Sequence, residues 1–232
     1  MSREDLIFSI PLLSEDPEAS FPDPMDSLHP EGLIAVGGDL DPRRLINAYR
    51  SGLFPWYETG GPILWWSPDP RAVLIPGHVH VGRRLARTLR QQRFRITVDQ
   101  EFEAVVDGCA APRSENPGTW ITPEMKAAYL ELHRLGAAHS LEVRREDRLV
   151  GGLYGVAIGK MFFAESKFHY ERDASKIALV ALMDRLLDQG FLLCDCQLWN
   201  PHLEQFGVRM MSRGDFIRVV KHAVAEAHHP LT

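Results

Sequence analysis

The stretches 139-HSLEVRRE-146, 148-RLVGGLYGVAIG-159 and 160-KMFFAES-166 decide the fold of this chain. Each run is rich in apolar residues, and short turn sequences at Glu146-Asp147 and Gly159-Lys160 separate the runs. This pattern predicts three β-strands joined by tight turns, and strands joined in this way pair antiparallel. We therefore expect an antiparallel meander in the second half of the chain.

A helix and a further strand are predicted directly after the meander. The segment 174-ASKIALVALMDRLLDQG-190 has the length and the apolar spacing of a helix, and Gly190 is a typical terminator. The run over 191–198 then predicts a strand. A meander, a helix and a strand in this order are typical of GNAT-type acyltransferase cores, which is an analogy of fold only. The analogy suggests transfer of an acyl group to an amine.

The acyl donor of this core is not expected to be coenzyme A. Enzymes of the GNAT type that use CoA need a glycine-rich turn at the start of the helix, where backbone N–H groups bind the pyrophosphate. The corresponding segment, 167-KFHYERDASK-176, contains no glycine. A CoA-dependent N-acyltransferase stays a rival interpretation, which binding of acetyl-CoA would support.

The first part of the chain predicts a small domain of its own. Asp41-Pro42 begins a helix that runs to about Arg50, and short extended pieces punctuated by Pro and Gly follow over 53–76. We place a domain boundary near Arg71. The predicted fold class is therefore α+β, with a small N-terminal α/β domain over 1–71 and a GNAT-like domain over 72–232.

Composition narrows the class of protein. The chain has 232 residues, 45% hydrophobic and 25% charged, as in ordinary soluble domains. No apolar run is long enough to span a membrane, and residues 1–13 lack the pattern of a signal peptide. With three cysteines a disulfide framework is not expected, so we predict a cytoplasmic protein. The net charge of −5 argues against a protein that coats nucleic acid, but it leaves room for a local basic patch.

The run 191-FLLCDCQLWN-200 carries polar residues within a predicted strand. Side chains alternate along a strand, so Asp195 and Gln197 are expected on one face. The predicted meander brings Glu165 close to Asp195 if the two strands lie side by side. A buried, unpaired carboxylate is costly, so either these residues form a site or Asp195 has a structural partner, Lys176 or Arg172. The sequence by itself favours neither alternative.

The cysteines and the tryptophans can each be interpreted as structural or as functional residues. Cys194 and Cys196 have poor spacing for zinc and lie on the apolar face of the predicted strand, so we interpret them as core residues. Trp56 and Trp120 stand in irregular segments and are candidates for stacking on a base. Trp65-Trp66 is more typical of a lid over a core.

A run of arginines follows the predicted domain boundary. The segment 78–98 predicts a helix that runs into a strand, and its six arginines have no acid among them. Such a run is usually a solvated helix face. In an acidic chain it is also a candidate for a patch that contacts phosphates, and the residues concerned are Arg83, Arg84, Arg87 and Arg90.

Taken together, the motifs resemble the leucyl/phenylalanyl-tRNA–protein transferase family over almost the whole chain. The matching pieces are 36-VGGDL-40, 54-FPW-56, 64-LWWSPDPRAVL-74, 118-GTWIT-122, 151-GGLYGVAIG-159, 165-ES-166, 174-ASK-176 and 195-DCQ-197. The resemblance implies transfer of Leu or Phe from aminoacyl-tRNA to the N-terminal Lys or Arg of a protein, which creates an N-degron. Met is a further donor that we keep open. No cofactor or metal is implied, and we expect a monomer.

The resemblance also implies roles for individual residues. Asp195, Gln197 and Glu165 match residues implicated in catalysis, while Trp56 and Trp120 match residues that hold the 3′-terminal adenosine of the tRNA. The family's apolar pocket for the donor side chain is matched by Leu153, Leu179, Leu182 and Leu186. Two departures from the family pattern fall in this pocket. Lys167 replaces a common methionine, and Cys194 stands where a larger aliphatic residue is common, so donor preference is open.

The chemistry that the resemblance implies needs few groups. The donor is an activated ester and the nucleophile an α-amine with a pKa near 8, so positioning the two is the main task. We hypothesise that Asp195 orients Gln197, whose carbonyl oxygen accepts a hydrogen bond from the amine. Two rival interpretations involve no catalysis. The protein could be an RNA-binding module, which leaves the Asp195 and Gln197 pair unexplained, or a scaffold protein.

Overall fold

A computed structural model describes residues 10–112, 119–226 and 231 of the chain. Residues 1–9 of the predicted N-terminal domain and Gly118 of the GTWIT motif lie outside these described residues. A four-stranded sheet forms first, in the order β1-β2-β4-β3. Its strands are β1 (Leu12–Leu13), β2 (Leu33–Gly37), β3 (Phe54–Pro55) and β4 (Leu64–Trp66).

A seven-stranded sheet forms the larger part, in the order β11-β5-β10-β9-β8-β7-β6. Its strands are β5 (Arg71–Leu74), β6 (Arg95–Val98), β7 (Ala138–Arg145), β8 (Arg148–Ile158), β9 (Met161–His169), β10 (Leu193–Asp195) and β11 (Arg209–Met211). The α-helices of the described residues are α1 (Pro42–Arg50), α2 (Arg83–Arg90), α3 (Phe102–Ala110), α4 (Pro123–Arg134), α5 (Ala174–Asp188), α6 (Pro201–Glu204) and α7 (Arg213–Ala223). A short 3-10 helix covers Pro24–Asp26.

The predicted meander is confirmed by strands β7, β8 and β9, which pair antiparallel in chain order. Helix α5 follows, and β10 then pairs parallel to β9. The α+β fold with a GNAT-like order of meander, helix and strand is therefore confirmed. The glycines of β8 permit this packing, because a Cβ at Gly155 would lie 2.2 Å from the Phe163 carbonyl oxygen and one at Gly151 would lie 2.6 Å from the Ala174 Cβ.

The predicted strand over 191–198 is wrong in its extent. Strand β10 ends at Asp195, and Gln197 has a φ of 57°, which lies in the left-handed region. The alternation of faces therefore stops at Asp195. Leu192 and Leu198, which alternation would have placed on the face of Cys194 and Cys196, are both exposed. A polar residue in left-handed geometry ends the strand and turns the chain outward.

The two parts of the chain share their packing. Arg71, the last residue of the predicted N-terminal domain, is the first residue of β5 and so belongs to the large sheet. One core cluster includes Tyr49 and Trp65 from the first part together with Tyr129 and Phe163 from the second. The division into two domains stays a prediction. Within the described ranges, none of the helices combines the length and apolar character needed to cross a bilayer.

Candidate active site

A buried ion pair joins two neighbouring strands of the large sheet. Strands β5 and β10 are neighbours, and the Arg71 Nε and Nη2 atoms lie 2.8 Å and 2.7 Å from the two carboxylate oxygens of Asp195. Neither side chain has accessible surface. The Arg71 Cζ atom lies 4.8 Å from the centroid of the Phe54 ring and 4.5 Å from that of the Phe216 ring. The guanidinium and the carboxylate are both shielded from solvent, and their charges compensate each other in a bidentate pair.

The partner of Asp195 is therefore Arg71 and not Lys176 or Arg172, the two partners weighed from the sequence. Lys176 instead donates to the Gln205 Oε1 atom over 2.8 Å. Because Asp195 is fully buried, its carboxylate does not reach the surface on which an acceptor amine would arrive.

Gln197 is the residue that Asp195 holds. The Gln197 backbone N–H donates to the Asp195 Oδ1 atom over 3.0 Å, which fixes the turn after β10. The Gln197 side chain lines a cavity, and its Nε2 atom is buried without a hydrogen-bond partner among the described residues. A buried polar group of this kind carries a penalty unless a ligand satisfies it. The turn that carries the amide is therefore held in place, while the amide nitrogen has no partner among the described residues.

Glu165 lines the same cavity and is held by two phenols. Tyr49 of α1 donates to its Oε1 atom over 2.8 Å, and Tyr129 of α4 donates to its Oε2 atom over 2.7 Å. Some surface of Glu165 stays accessible, but protein atoms surround the carboxyl group. Burial raises the pKa of this carboxyl to about 7, although the hydrogen bonds from Tyr129 and Tyr49 lower it. Burial, and after it the charge of Glu165, raises the pKa of both tyrosines well above the ordinary value.

We expect Glu165 to make the free energy of unfolding depend on pH. Its pKa rises from 4.5 to about 7 on folding, so its stabilising contribution is complete below pH 4.5 and is lost as the pH rises through 7. Between pH 5 and 8, the free energy of unfolding of the wild type should therefore fall by about 2–3 kcal/mol relative to that of Glu165→Gln, because the glutamine side chain does not titrate. Urea unfolding at both pH values measures this difference. The exposed control Glu58→Gln should follow wild type, and parallel pH profiles for wild type and Glu165→Gln would contradict the expectation.

The cavity beside Gln197 contains half of the residues predicted for the donor pocket. Its volume is about 110 Å³, and Leu153, Lys167 and Leu179 line it. The other three lie in the core cluster that also contains Leu153 and Leu179, and they do not line the cavity: Leu182, Leu186 and Cys194. Cys196 lines the cavity and is only partly buried, so the interpretation of the cysteines as core residues holds fully for Cys194 alone.

The tryptophans occupy different environments. Trp65 is fully buried and its Nε1 atom donates to the Gly37 carbonyl oxygen over 2.9 Å, as expected for a core residue. Trp56 is 47% exposed, whereas Trp120 is partly buried. The segments that carry these two residues meet where the Tyr57 hydroxyl lies 3.5 Å from the Thr122 hydroxyl. Trp56 lines a groove together with Trp66 and Trp199, whereas Trp120 packs against the core cluster that contains Trp65.

The four arginines predicted to contact phosphates are exposed on α2. They are Arg83, Arg84, Arg87 and Arg90, and the helix contains no acidic residue. Leu85 is the buried residue of this helix, so the charged side chains cover its outer faces.

Sequence reasoning missed Arg71, Tyr49 and Tyr129. Arg71 ends the motif WWSPDPR, but a motif does not indicate which distant carboxylate its arginine contacts. Tyr49 and Tyr129 lie on the apolar faces of helices and look like ordinary core aromatics. Among the residues that the structure describes, no cluster of three or more His, Cys, Asp or Glu side chains is placed to hold a metal ion.

Comparisons with known proteins converge on one family. The family model described as leucyl/phenylalanyl-tRNA protein transferase matches residues 73–221, and the model of that family's N-terminal domain matches residues 38–69. A leucyl/phenylalanyl-tRNA–protein transferase of Shewanella woodyi is 53% identical over 202 residues, which cover 87% of this chain and 86% of that protein. One of Pseudomonas aeruginosa is 57% identical over 187 residues, which cover 81% and 83%.

Solved structures give a weaker likeness. A GCN5-related N-acetyltransferase from Kribbella flavida is 13% identical, with a TM-score of 0.40, and the match covers 77% of this chain and 63% of that chain. A score this low supports no conclusion about function.

Proposed function

We propose that this chain, which belongs to the leucyl/phenylalanyl-tRNA–protein transferase family, transfers Leu or Phe from aminoacyl-tRNA to the N-terminal Lys or Arg of acceptor proteins. The modified protein then carries a bulky N-terminal residue, which we infer to act as an N-degron. The observation that carries the proposal is the Gln197 amide. It lines a cavity with both apolar and polar walls, its backbone is tied to the buried Arg71–Asp195 pair, and its Nε2 atom has no hydrogen-bond partner among the described residues.

The reaction is the aminolysis of an ester. The acceptor's α-amine attacks the carbonyl carbon of the aminoacyl ester, a C–N bond forms, and the C–O bond to the tRNA ribose breaks. The amine loses one proton and the departing ribose oxygen gains one, so no cofactor is needed for the balance. The α-amine has a pKa near 8 and is partly neutral in the cell, so holding it against the ester carbonyl supplies much of the rate acceleration.

Each group near Gln197 has a distinct part in this reaction. The Gln197 amide oxygen accepts a hydrogen bond from the attacking amine, and the amide N–H₂ group meets an oxygen of the donor. Asp195 and Arg71 position this amide through the backbone of the turn and do not touch the substrates. Glu165, when ionised, attracts the positively charged side chain of the acceptor's first residue.

The donor occupies the other side of the site. Its Leu or Phe side chain enters the cavity beside Leu153 and Leu179, while Leu182, Leu186 and Cys194 support the cavity wall from the core. Trp56 and Trp120 hold the terminal adenosine, and the exposed arginines of α2 contact phosphates of the tRNA. Contact with the leucine side chains of the cavity wall discriminates apolar donor side chains by only about 1–3 kcal/mol per methylene, so we expect both Leu and Phe to be accepted.

A transfer assay tests the proposal. Purified protein is incubated with radiolabelled Leu-tRNA or Phe-tRNA and with peptides that begin with Lys, Arg or Ala. We expect label on the Lys and Arg peptides and not on the Ala peptide, and the ratio of Leu to Phe reports the effect of Lys167 on the cavity. Equal label on the Ala peptide would refute the acceptor rule. Binding of tRNA without any labelled peptide would instead favour an RNA-binding module.

A further inference from the structure

Two of the three cysteines lie on one face of the segment that leads into the Gln197 turn. Cys194 belongs to β10, and the Cys196 backbone N–H continues the pairing with β5 by donating to the Ala72 carbonyl oxygen over 2.9 Å. Side chains two residues apart in an extended segment share a face, and Cys196 packs against the core cluster that contains Cys194. Both cysteines are free thiols and are neighbours in the fold as well as in the sequence.

The two thiols also contact each other. The Cys196 Sγ atom turns back along the chain and lies 3.9 Å from the Cys194 carbonyl oxygen. A hydrogen bond with the Cys196 thiol, and after it burial, raises the pKa of the Cys194 thiol well above its ordinary value. Residues two apart in an extended chain have Cα atoms about 6.5 Å apart, which is near the upper end of the range that a disulfide spans. A bond between the two sulfur atoms therefore needs a displacement of Cys196 but no rearrangement of the sheet.

The two thiols differ in their access to solvent. Cys194 is fully buried, and it is paired with Leu74 of β5 on one side and with Phe162 of β9 on the other. Cys196 is only partly buried and lines the cavity beside Gln197. A small oxidant that enters this cavity therefore meets Cys196 first, with Cys194 next to it as a resolving thiol. An accessible cysteine beside a resolving cysteine is typical of redox-sensitive sites.

We propose that Cys194 and Cys196 form a thiol site at which hydrogen peroxide produces a disulfide and thereby stops aminoacyl transfer. One peroxide oxygen adds to the Cys196 sulfur, which gives a sulfenic acid, and the other oxygen leaves as water. The Cys194 sulfur then attacks the Cys196 sulfur, the S–O bond breaks, and the oxygen leaves as a second water that takes the Cys194 proton. The two thiols lose two electrons in total, and the peroxide gains them. An added dithiol reverses the reaction by thiol–disulfide exchange.

Gln197 connects this thiol site to the transfer reaction. It follows Cys196 directly, and the Asp195 carboxylate holds its backbone N–H. Drawing the Cys196 sulfur towards Cys194 shifts the start of the turn, and a displacement of about 1 Å in a positioning group costs about 100-fold in rate. This consequence rests on the proposed function, whereas formation of the disulfide does not.

The first experiment detects the bond and needs no transfer activity. Wild type is treated with hydrogen peroxide and denatured, its remaining thiols are blocked with iodoacetamide, and the mass of the peptide that contains Cys194 and Cys196 is measured. We expect this peptide to lack two hydrogens and to carry no blocking group. Recovery of both thiols in blocked form, or of Cys196 as a sulfinic acid, would overturn the proposal.

Two variants serve as comparisons for the mass measurement. Cys194→Val keeps an apolar side chain and removes the resolving thiol, so Cys196 should proceed to the sulfinic acid instead of a disulfide. Cys109 is the matched control, because it is also a buried free cysteine but lies on α3 in the other core cluster. Cys109→Ala should give the wild-type disulfide, and loss of the disulfide in this variant would overturn the assignment to Cys194 and Cys196.

The second experiment measures transfer, with each protein compared with its own untreated rate. Peroxide should lower the rate of wild type by about 100-fold, and dithiothreitol should restore it. The rate of treated Cys194→Val should stay low after dithiothreitol, because a sulfinic acid is not reduced by thiols. A disulfide that leaves the rate of wild type unchanged would overturn the link to Gln197. Absence of transfer by untreated wild type is the failure of the proposed function, and the peptide mass still decides the thiol site.

Discussion

Replacement of Arg71 by methionine should lower the free energy of unfolding by about 3–5 kcal/mol, because it leaves the fully buried Asp195 carboxylate without its partner. Methionine keeps much of the apolar stem that packs against Phe54 and Phe216, so loss of packing is a minor part of this effect. Turnover should fall by about 100-fold as well, since a shift of about 1 Å in the Gln197 turn misplaces the amide. Urea unfolding and the transfer assay measure the two effects.

The control for this prediction is Arg148→Met, which removes an exposed arginine and should change the free energy of unfolding by less than about 0.5 kcal/mol. A double-mutant cycle adds a sharper measurement. Asp195→Asn combined with Arg71→Met should be more stable than Arg71→Met, because no unpaired carboxylate remains in the core. An Arg71→Met protein as stable as wild type would show that the pair is not the anchor of this region.

Replacement of Gln197 by asparagine should lower turnover by about 100-fold while the free energy of unfolding changes little. Asparagine keeps the amide and tolerates the left-handed φ of 57°, so the turn after β10 can form. Its side chain is one methylene shorter, so the amide oxygen withdraws from the position of the attacking amine. Alanine would be a poorer choice, because backbone strain and loss of the amide would act together.

Gln92→Asn is the matched control for this variant. Gln92 is also a left-handed glutamine, with a φ of 48°, but it is exposed and lies outside the site. Its replacement should leave kcat and both KM values unchanged. If Gln197→Asn turned over near the wild-type rate, the position of the amide would not matter for the reaction, and the turn would have a structural role only.

Local signals in the sequence identified the elements of the site region. The alternation of apolar runs and turns predicted the meander, and its three strands form within a few residues of the expected bounds. Asp41-Pro42 predicted the start of a helix, and Asp41 caps Pro42–Arg50 by accepting from the Arg43 backbone N–H. Such features depend on residues that are close in the sequence, so they can be predicted from the sequence. Family motifs added Asp195, Gln197 and Glu165, whose catalytic roles stay predictions.

What the sequence determined by itself is thus the order of elements and the residue types available to the site. Only the tertiary structure decided which residues meet. Arg71 and Asp195 are 124 residues apart, and Tyr49 and Glu165 are 116 apart, so no local period or cap links them. The Asp195 carboxylate that binds Arg71 also accepts a hydrogen bond from the Gln197 backbone N–H, so the long-range pair and the local turn after β10 share one side chain. Compensation of buried charge is a property of the whole packed core, and a carboxylate in a strand does not reveal its partner before the sheet has formed.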